Sequence, residues 1–69
     1  MKLQLQVNLD NAAFAAVDDR PDHRSAAPVA DVLHKVAKEI AQQWSVREGD
    51  VFAISDSNGN TVGHYRILP

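Results

Sequence analysis

The chain has 69 residues, no cysteine and a net charge of −2. At that length about 60% of the unfolded surface is buried on folding, enough for one small core and too little for a deep catalytic cleft. An apolar share of 45% against 23% charged residues excludes wholesale disorder, and the missing cysteines exclude disulfides, thiolate zinc sites, iron–sulfur clusters and a cysteine nucleophile.

Residues 2–9 alternate strictly. Leu3, Leu5, Val7 and Leu9 point one way, and Gln4, Gln6 and Asn8 the other. This is the period of a strand with one buried face, the habit of an antiparallel sheet. Next, Asp10-Asn11 turns the chain or caps a short helical turn over residues 12–17, with Phe14 as anchor into the core. That stretch is also the longest apolar run, six residues, far short of a membrane span or a signal-peptide core. Residues 18–27 are polar and broken by Pro21, and are expected to be an exposed loop.

Pro28 is expected to open a helix, since a first turn tolerates its missing N–H. Val29, Val32, Leu33, Val36, Ile40 and Trp44 then recur at spacings of three and four, which makes one apolar stripe. Asp31 near the start suits the helix dipole, and Gly49 suits a stop. Residues 28–44 would span about 25 Å as helix, a match for the first strand. Two further strands, residues 51–55 and 61–68, flank Ser57-Asn58-Gly59-Asn60. Asn-Gly in that setting predicts a type I′ hairpin turn. Counting outward, Ile54 faces Gly63 and Phe52 faces Tyr65. Phe52, Ile54, Tyr65 and Ile67 then look inward, and Ala53, Ser55, His64 and Arg66 outward.

The predicted fold is α+β: a single compact domain over residues 1–69, with one helix packed on a three-stranded antiparallel sheet. Its layout is β-α-β-β in the order 1-3-2. A parallel pairing of the first two strands is the alternative. The predicted core is Leu3, Leu5, Val7, Leu9, Phe14, Val29, Val32, Leu33, Val36, Ile40, Trp44, Phe52, Ile54, Tyr65 and Ile67.

Two stretches carry a resemblance. Val7-Asn8-Leu9-Asp10-Asn11-Ala12-Ala13-Phe14 and Asp56-Ser57-Asn58-Gly59-Asn60-Thr61-Val62-Gly63 flank a helix with Val29, Val32, Leu33, Val36 and Ala37 in register. This arrangement resembles small, largely uncharacterised proteins encoded by bacteriophages and prophages, over about two-thirds of the chain. Residues 15–27 are longer than that family's usual connector. The resemblance implies no activity and no functional residue. It implies a context, a mobile-element protein acting in the cytoplasm of a bacterial host.

The chemistry-bearing residues are sparse. His23, His34 and His64 lack metal-ligand spacing. Asp18, Asp19, Asp22 and His23 read as a solvated loop rather than a cation site. Asp56-Ser57-Asn58-Gly59-Asn60 fails as a calcium loop, because its glycine is at the fourth position and Ile67 would stand at the twelfth. Ser25, Ser45, Ser55 and Ser57 have no elbow glycines and no base. No catalytic residue, metal or cofactor is expected. The outer sheet face, with Lys2, Gln4, Gln6, Asn8, Ser55, His64 and Arg66, is polar and slightly positive. The contrasting surface is acidic: Asp10, Asp18, Asp19 and Asp22 fall within thirteen residues, offset by Arg20 and Arg24.

The expected function is therefore that of a non-enzymatic protein that binds and blocks a bacterial protein complex. Phage context suggests an inhibitor of host defence of the anti-CRISPR kind, a reading from class and context, since such proteins share no common motif. Asp10, Asp18, Asp19 and Asp22 would meet the basic channel where a CRISPR effector subunit holds nucleic acid. The alternative is a nucleic-acid-binding accessory module that uses the outer sheet face. The negative charge disfavours direct binding to nucleic acid, and a small enzyme lacks a site. No membrane partner is expected, and an open strand edge allows a monomer or a weak dimer.

Overall fold

The computed structural model describes residues Met1–Pro69. Six elements follow one another: β1 (Lys2–Val7), β2 (Ala16–Val17), β3 (Arg20–Arg24), α1 (Ala26–Ala41), β4 (Val51–Ser55) and β5 (Thr61–Leu68). The class is α+β, with one helix, a three-stranded sheet in the order β1-β5-β4, and a separate sheet of β2 and β3. The expected four-element β-α-β-β layout, and with it the 1-3-2 numbering, does not describe the chain. β3 stands where an exposed loop over residues 18–27 is expected, β2 stands at the end of the expected turn over residues 12–17, and α1 begins inside the loop range.

β5 is the central strand and runs antiparallel to both neighbours. Leu3 faces Ile67, Leu5 faces Tyr65 and Val7 faces Gly63. Across the other side, Phe52 faces Tyr65 and Ile54 faces Gly63. Alternation therefore puts Leu3, Leu5, Val7, Phe52, Ile54, Tyr65 and Ile67 on the face that meets the helix.

Facing the helix is not the same as being covered by it. Phe14, Val32, Val36, Ile54, Val62, Tyr65 and Ile67 are buried. Leu3, Leu5, Leu33, Phe52 and Trp44, all expected in the core, are exposed, Trp44 completely. A helix is about 10 Å across and strands lie about 4.8 Å apart, so one helix covers two strands of three. α1 lies on the β4 side. There the Lys35 ammonium donates to Ser55 Oγ at 2.8 Å, and the Gln43 side-chain amide donates to the Tyr65 hydroxyl at 3.2 Å. The face of β1 stays open. Phe52 instead stacks on Tyr65, ring centroids 5.1 Å apart.

The helix starts at Ala26 and ends at Ala41, two residues earlier and three residues earlier than the stripe predicts. Ser25 holds the N-cap position in extended conformation, and Pro28 sits within the first turn, where it lacks nothing. Asp31 then falls beyond the first turn, which holds no acid. Trp44 lies past the helix end, so its spacing no longer turns it inward. Gly49 (φ 92°) does not stop the helix. It sits in the turn before β4, where the Asp50 N–H donates to the Arg47 carbonyl.

Residues 12–17 form no helical turn. Asn11 instead closes a tight turn on itself: its Oδ1 accepts the Ala13 N–H at 2.9 Å, and its carbonyl accepts the Phe14 N–H at 2.9 Å. Phe14 is thereby driven into the core at 2% exposure.

The β4–β5 loop departs from a type I′ turn. Only Gly59 (φ 83°) takes a left-handed conformation there. The Asp56 carbonyl accepts the Gly59 N–H, and the Asp56 N–H donates to the Asn60 carbonyl, the pattern of a three-residue loop ending in a left-handed residue. That longer loop shifts the pairing by one, and β5 takes the shift back. Ser55 pairs with Thr61 but Ile54 pairs with Gly63, which leaves Val62 as the bulged residue. The bulge turns Val62 into the core, at 4% exposure, and turns Ser55 towards Lys35 rather than outward. The two deviations cancel, so Ile54 and Phe52 still face Gly63 and Tyr65.

Asp56 is buried beneath this loop. Its Oδ1 accepts the N–H groups of Asn58 and Asn60, both at 2.9 Å. Burial works to raise the carboxyl's pKa, but those two donors, the Asn60 side-chain amide and the Lys35 charge outweigh it and hold the pKa below the usual carboxylate value.

The two loop glycines should respond differently. At Gly59 a side chain meets open space, and only the backbone conformation resists it. Gly59→Val should cost about 1–3 kcal/mol, the range for a strained backbone. At Gly63 an added Cβ would collide with the Gln6 carbonyl of β1. Even Gly63→Ala should then cost about 3 kcal/mol or more, since main chain must move. Urea melts of both variants check this, and an unchanged midpoint for either would refute the corresponding contact.

Asp56 makes stability depend on acid. A carboxyl with a lowered folded pKa binds fewer protons folded than unfolded, so its contribution is present above the unfolded value near pH 4 and is lost as pH falls through the folded one. Asp56→Asn should lower the melting temperature at neutral pH and flatten the acid limb of the stability curve. An acid limb as steep in the variant as in the wild type would assign that limb to other groups.

Candidate functional site

Asp18, Asp19 and Asp22 lie on a built hairpin rather than a loop, and Asp10 lies in the turn after β1. β2 and β3 are joined by Asp18 (φ 52°) and Asp19 (φ 58°), both left-handed, with Val17 opposite Arg20. Two consecutive left-handed residues make the type I′ turn, which matches strand twist and ordinarily takes Asn and Gly. Asp is among the few other residues that enter this region. The register then slips, so that Ala16 faces Arg24 and residues 21–23 bulge from β3.

Arg24 fills that bulge and fastens it to the body. Its guanidinium donates to the carbonyls of Pro21 (2.6 Å) and His23 (3.1 Å), to the Leu9 carbonyl (2.8 Å), and to the Asp10 carboxylate (3.0 Å). The planar fork of an arginine suits several acceptors at once. The Ser25 N–H also donates to the Ala15 carbonyl. The hairpin thus has one cationic hub at its base and two carboxylates at its tip.

The four acidic candidates separate accordingly. Asp10 is paired with Arg24, so its charge is largely spent locally. Asp22 lies 2.8 Å from the His23 ring nitrogen Nδ1, an exposed pair whose charge depends on the histidine. Asp18 and Asp19 are exposed, and neither is in an ion pair. The structure therefore brings Asp10 to the hub, sets Asp22 beside His23, and leaves Asp18 and Asp19 unpaired at the tip. Arg24 carries the arrangement, although its sequence position shows only an offsetting charge. The one available hint is that it closes the acidic segment just before the helix.

The opposite candidate, the outer sheet face, forms an open depression of about 730 Å³ lined by Gln6, Asn8, Asp10, His64 and Arg66 among others. It is polar and of mixed charge. Its Asn8 side chain is engaged, since it accepts the Asp10 N–H at 2.8 Å. Aromatic rings that could stack bases lie on the other face, with Phe52 against Tyr65.

Lys35 and Ser55 are at hydrogen-bond distance, a pairing that serves as nucleophile and base in some hydrolases. Here Lys35 is exposed and donates to Ser55 Oγ, a contact that holds the helix to β4. His23, His34 and His64 fall on the hairpin, on α1 and on β5 respectively. No helix is long and apolar enough to cross a membrane.

Against this geometry, no family model, curated protein or solved structure matches the chain.

Proposed function

We propose that this is a non-enzymatic binding protein that presses its acidic hairpin against a basic surface of a bacterial protein complex and so competes with nucleic acid there. The observation that carries the reading is the tip itself. Asp18 and Asp19 occupy two successive left-handed positions that glycine or asparagine fills at lower cost. Non-glycine residues held so typically cost about 1–3 kcal/mol each, and such strain collects at functional sites. The carboxylates are kept where backbone economy would replace them, and neither is in an ion pair, although Arg20 follows directly in the chain.

The mode of action follows from the charges. Two adjacent carboxylates on a narrow, anchored hairpin present negative charge at one projecting point, as a phosphate backbone does along its length. A channel lined by Arg and Lys would attract that tip at long range and hold it at contact. With the resemblance to phage and prophage proteins, the partner class is a host-defence complex, of which a CRISPR effector subunit is the type, in the bacterial cytoplasm. The protein then belongs with inhibitors of the anti-CRISPR kind. The outer-face nucleic-acid reading has a depression in its favour but neither exposed rings nor strong positive charge, the usual means of holding single strands.

The test is capture from a bacterial lysate with tagged wild type and with Asp18→Asn, Asp19→Asn and Asp22→Asn combined. Asparagine suits a left-handed turn, so the triple variant should melt at or above the wild-type temperature. It should lose the captured complex, with an association rate reduced about tenfold or more, since steering acts mainly on association. Raising salt from low to physiological levels, where the Debye length is about 8 Å, should slow the wild type towards the variant. Capture of nucleic acid alone, or binding indifferent to both charge and salt, would overturn the reading.

A further inference from the structure

We propose that β1 is a self-association edge: two copies pair β1 with β1 antiparallel about a two-fold axis and form one continuous six-stranded sheet. The proposal is independent of the acidic hairpin.

The first argument is the unused main chain. β1 is the outermost strand of its sheet. The Asn8 N–H donates to the Val62 carbonyl, and these two residues continue the register in which Val7 faces Gly63. In an antiparallel ladder, residues that bond the neighbour alternate with residues that bond away from it. The even positions, Gln4 and Gln6, therefore bond β5, while Leu3 and Leu5 direct N–H and C=O to the open edge. Residues 2–6 are exposed throughout, so nothing in the chain covers this edge. From Leu3 to Val7 it has no charge, no proline and no bulge, with Lys2 alone at its start as a protecting charge.

The second argument is the uncovered leucines. Leu3 and Leu33 are 56% and 45% exposed, and Leu5 is 36% exposed. Beside them runs an apolar groove of about 200 Å³ between β1 and α1, lined by Leu5, Val7, Leu9, Val29, Val32 and Leu33. Pairing about Gln4 sets Leu3 opposite Leu5 of the second copy and Lys2 opposite Gln6. Opposed residues share a face, so all four leucines join on the helix side. The second copy's Leu33 then leans over the same cluster. No like charges meet in this register.

The third argument is size. Met1, Leu3, Leu5 and Leu33 are all exposed, but a six-residue edge with four such side chains makes a small contact, and specific interfaces start at about 1,200 Å². The dimer is accordingly weak and depends on concentration.

The test is residue-resolved amide hydrogen exchange on the wild type at about 20 µM and about 1 mM, with sedimentation at both concentrations, across the range where weak complexes form. Leu3 and Leu5 amides should exchange roughly 3- to 10-fold more slowly at the higher concentration, as mass action fills the dimer. Gln4 and Gln6 amides, bonded to β5 in either state, should not change. Leu3→Lys should keep the wild-type melting temperature and sediment as a monomer at both concentrations. Leu3 and Leu5 amides equally fast at both concentrations would overturn the proposal. So would a dimer whose added protection lies elsewhere, or one that survives Leu3→Lys.

Discussion

One helix is about two strands wide, and this chain has a sheet three strands wide. Most of the architecture follows from that mismatch. α1 covers β4 and β5, tied down through Lys35 and, just past its end, Gln43, and the core forms beneath it from Val32, Val36, Ile54, Tyr65 and Val62. With so little helix, the core needs a plug at its open end, and Phe14 supplies it. The plug fixes where the chain must run after β1: down into the core at Phe14, then out again. The segment that returns from Phe14 to the helix has no core left to join. It pairs with itself as β2 and β3.

A hairpin so short cannot hold itself in water. Arg24 replaces the missing core. Four hydrogen bonds from one guanidinium close the bulge of residues 21–23 and tie the hairpin to Leu9 and Asp10. Its side chain is only 21% exposed, and its bond to the Leu9 carbonyl is partly buried, where a charged donor is stronger than at the open surface. The same contact sorts the acids, quenching Asp10 and leaving Asp18 and Asp19 free. Charge and rigidity at the tip thus have a common cause at the base.

Much of the main sheet and helix was legible in the sequence, because both depend on periodicity. The alternation of Leu3, Leu5 and Val7 fixes one strand, the stripe from Val29 to Ile40 fixes the helix, and Asn58-Gly59 marks the final hairpin. Periodicity says which residues share a face. It does not say whether anything lies over that face, so the alternation assigns Leu3, Leu5 and Phe52 to the inside although they are exposed. Trp44 kept the spacing after the helix had ended, and no glycine or proline marks that end. β2 and β3 were invisible for a different reason. A two-residue strand has no period, and its turn is Asp-Asp where the recognisable signal is Asn-Gly. The acidic candidates were legible as a cluster, but their division into paired and free was not, since it rests on Arg24 reaching back fourteen residues to Asp10.

The central claim is that the acidic hairpin is a rigid presentation held by Arg24. It is tested most directly by backbone order parameters for residues 18–23 in the wild type and in Arg24→Ala. The account predicts values near 0.85 in the wild type, like the main sheet, falling below about 0.6 in the variant while β1, β4 and β5 are unchanged. Low order parameters in the wild type, or a hairpin equally rigid without the guanidinium, would contradict it.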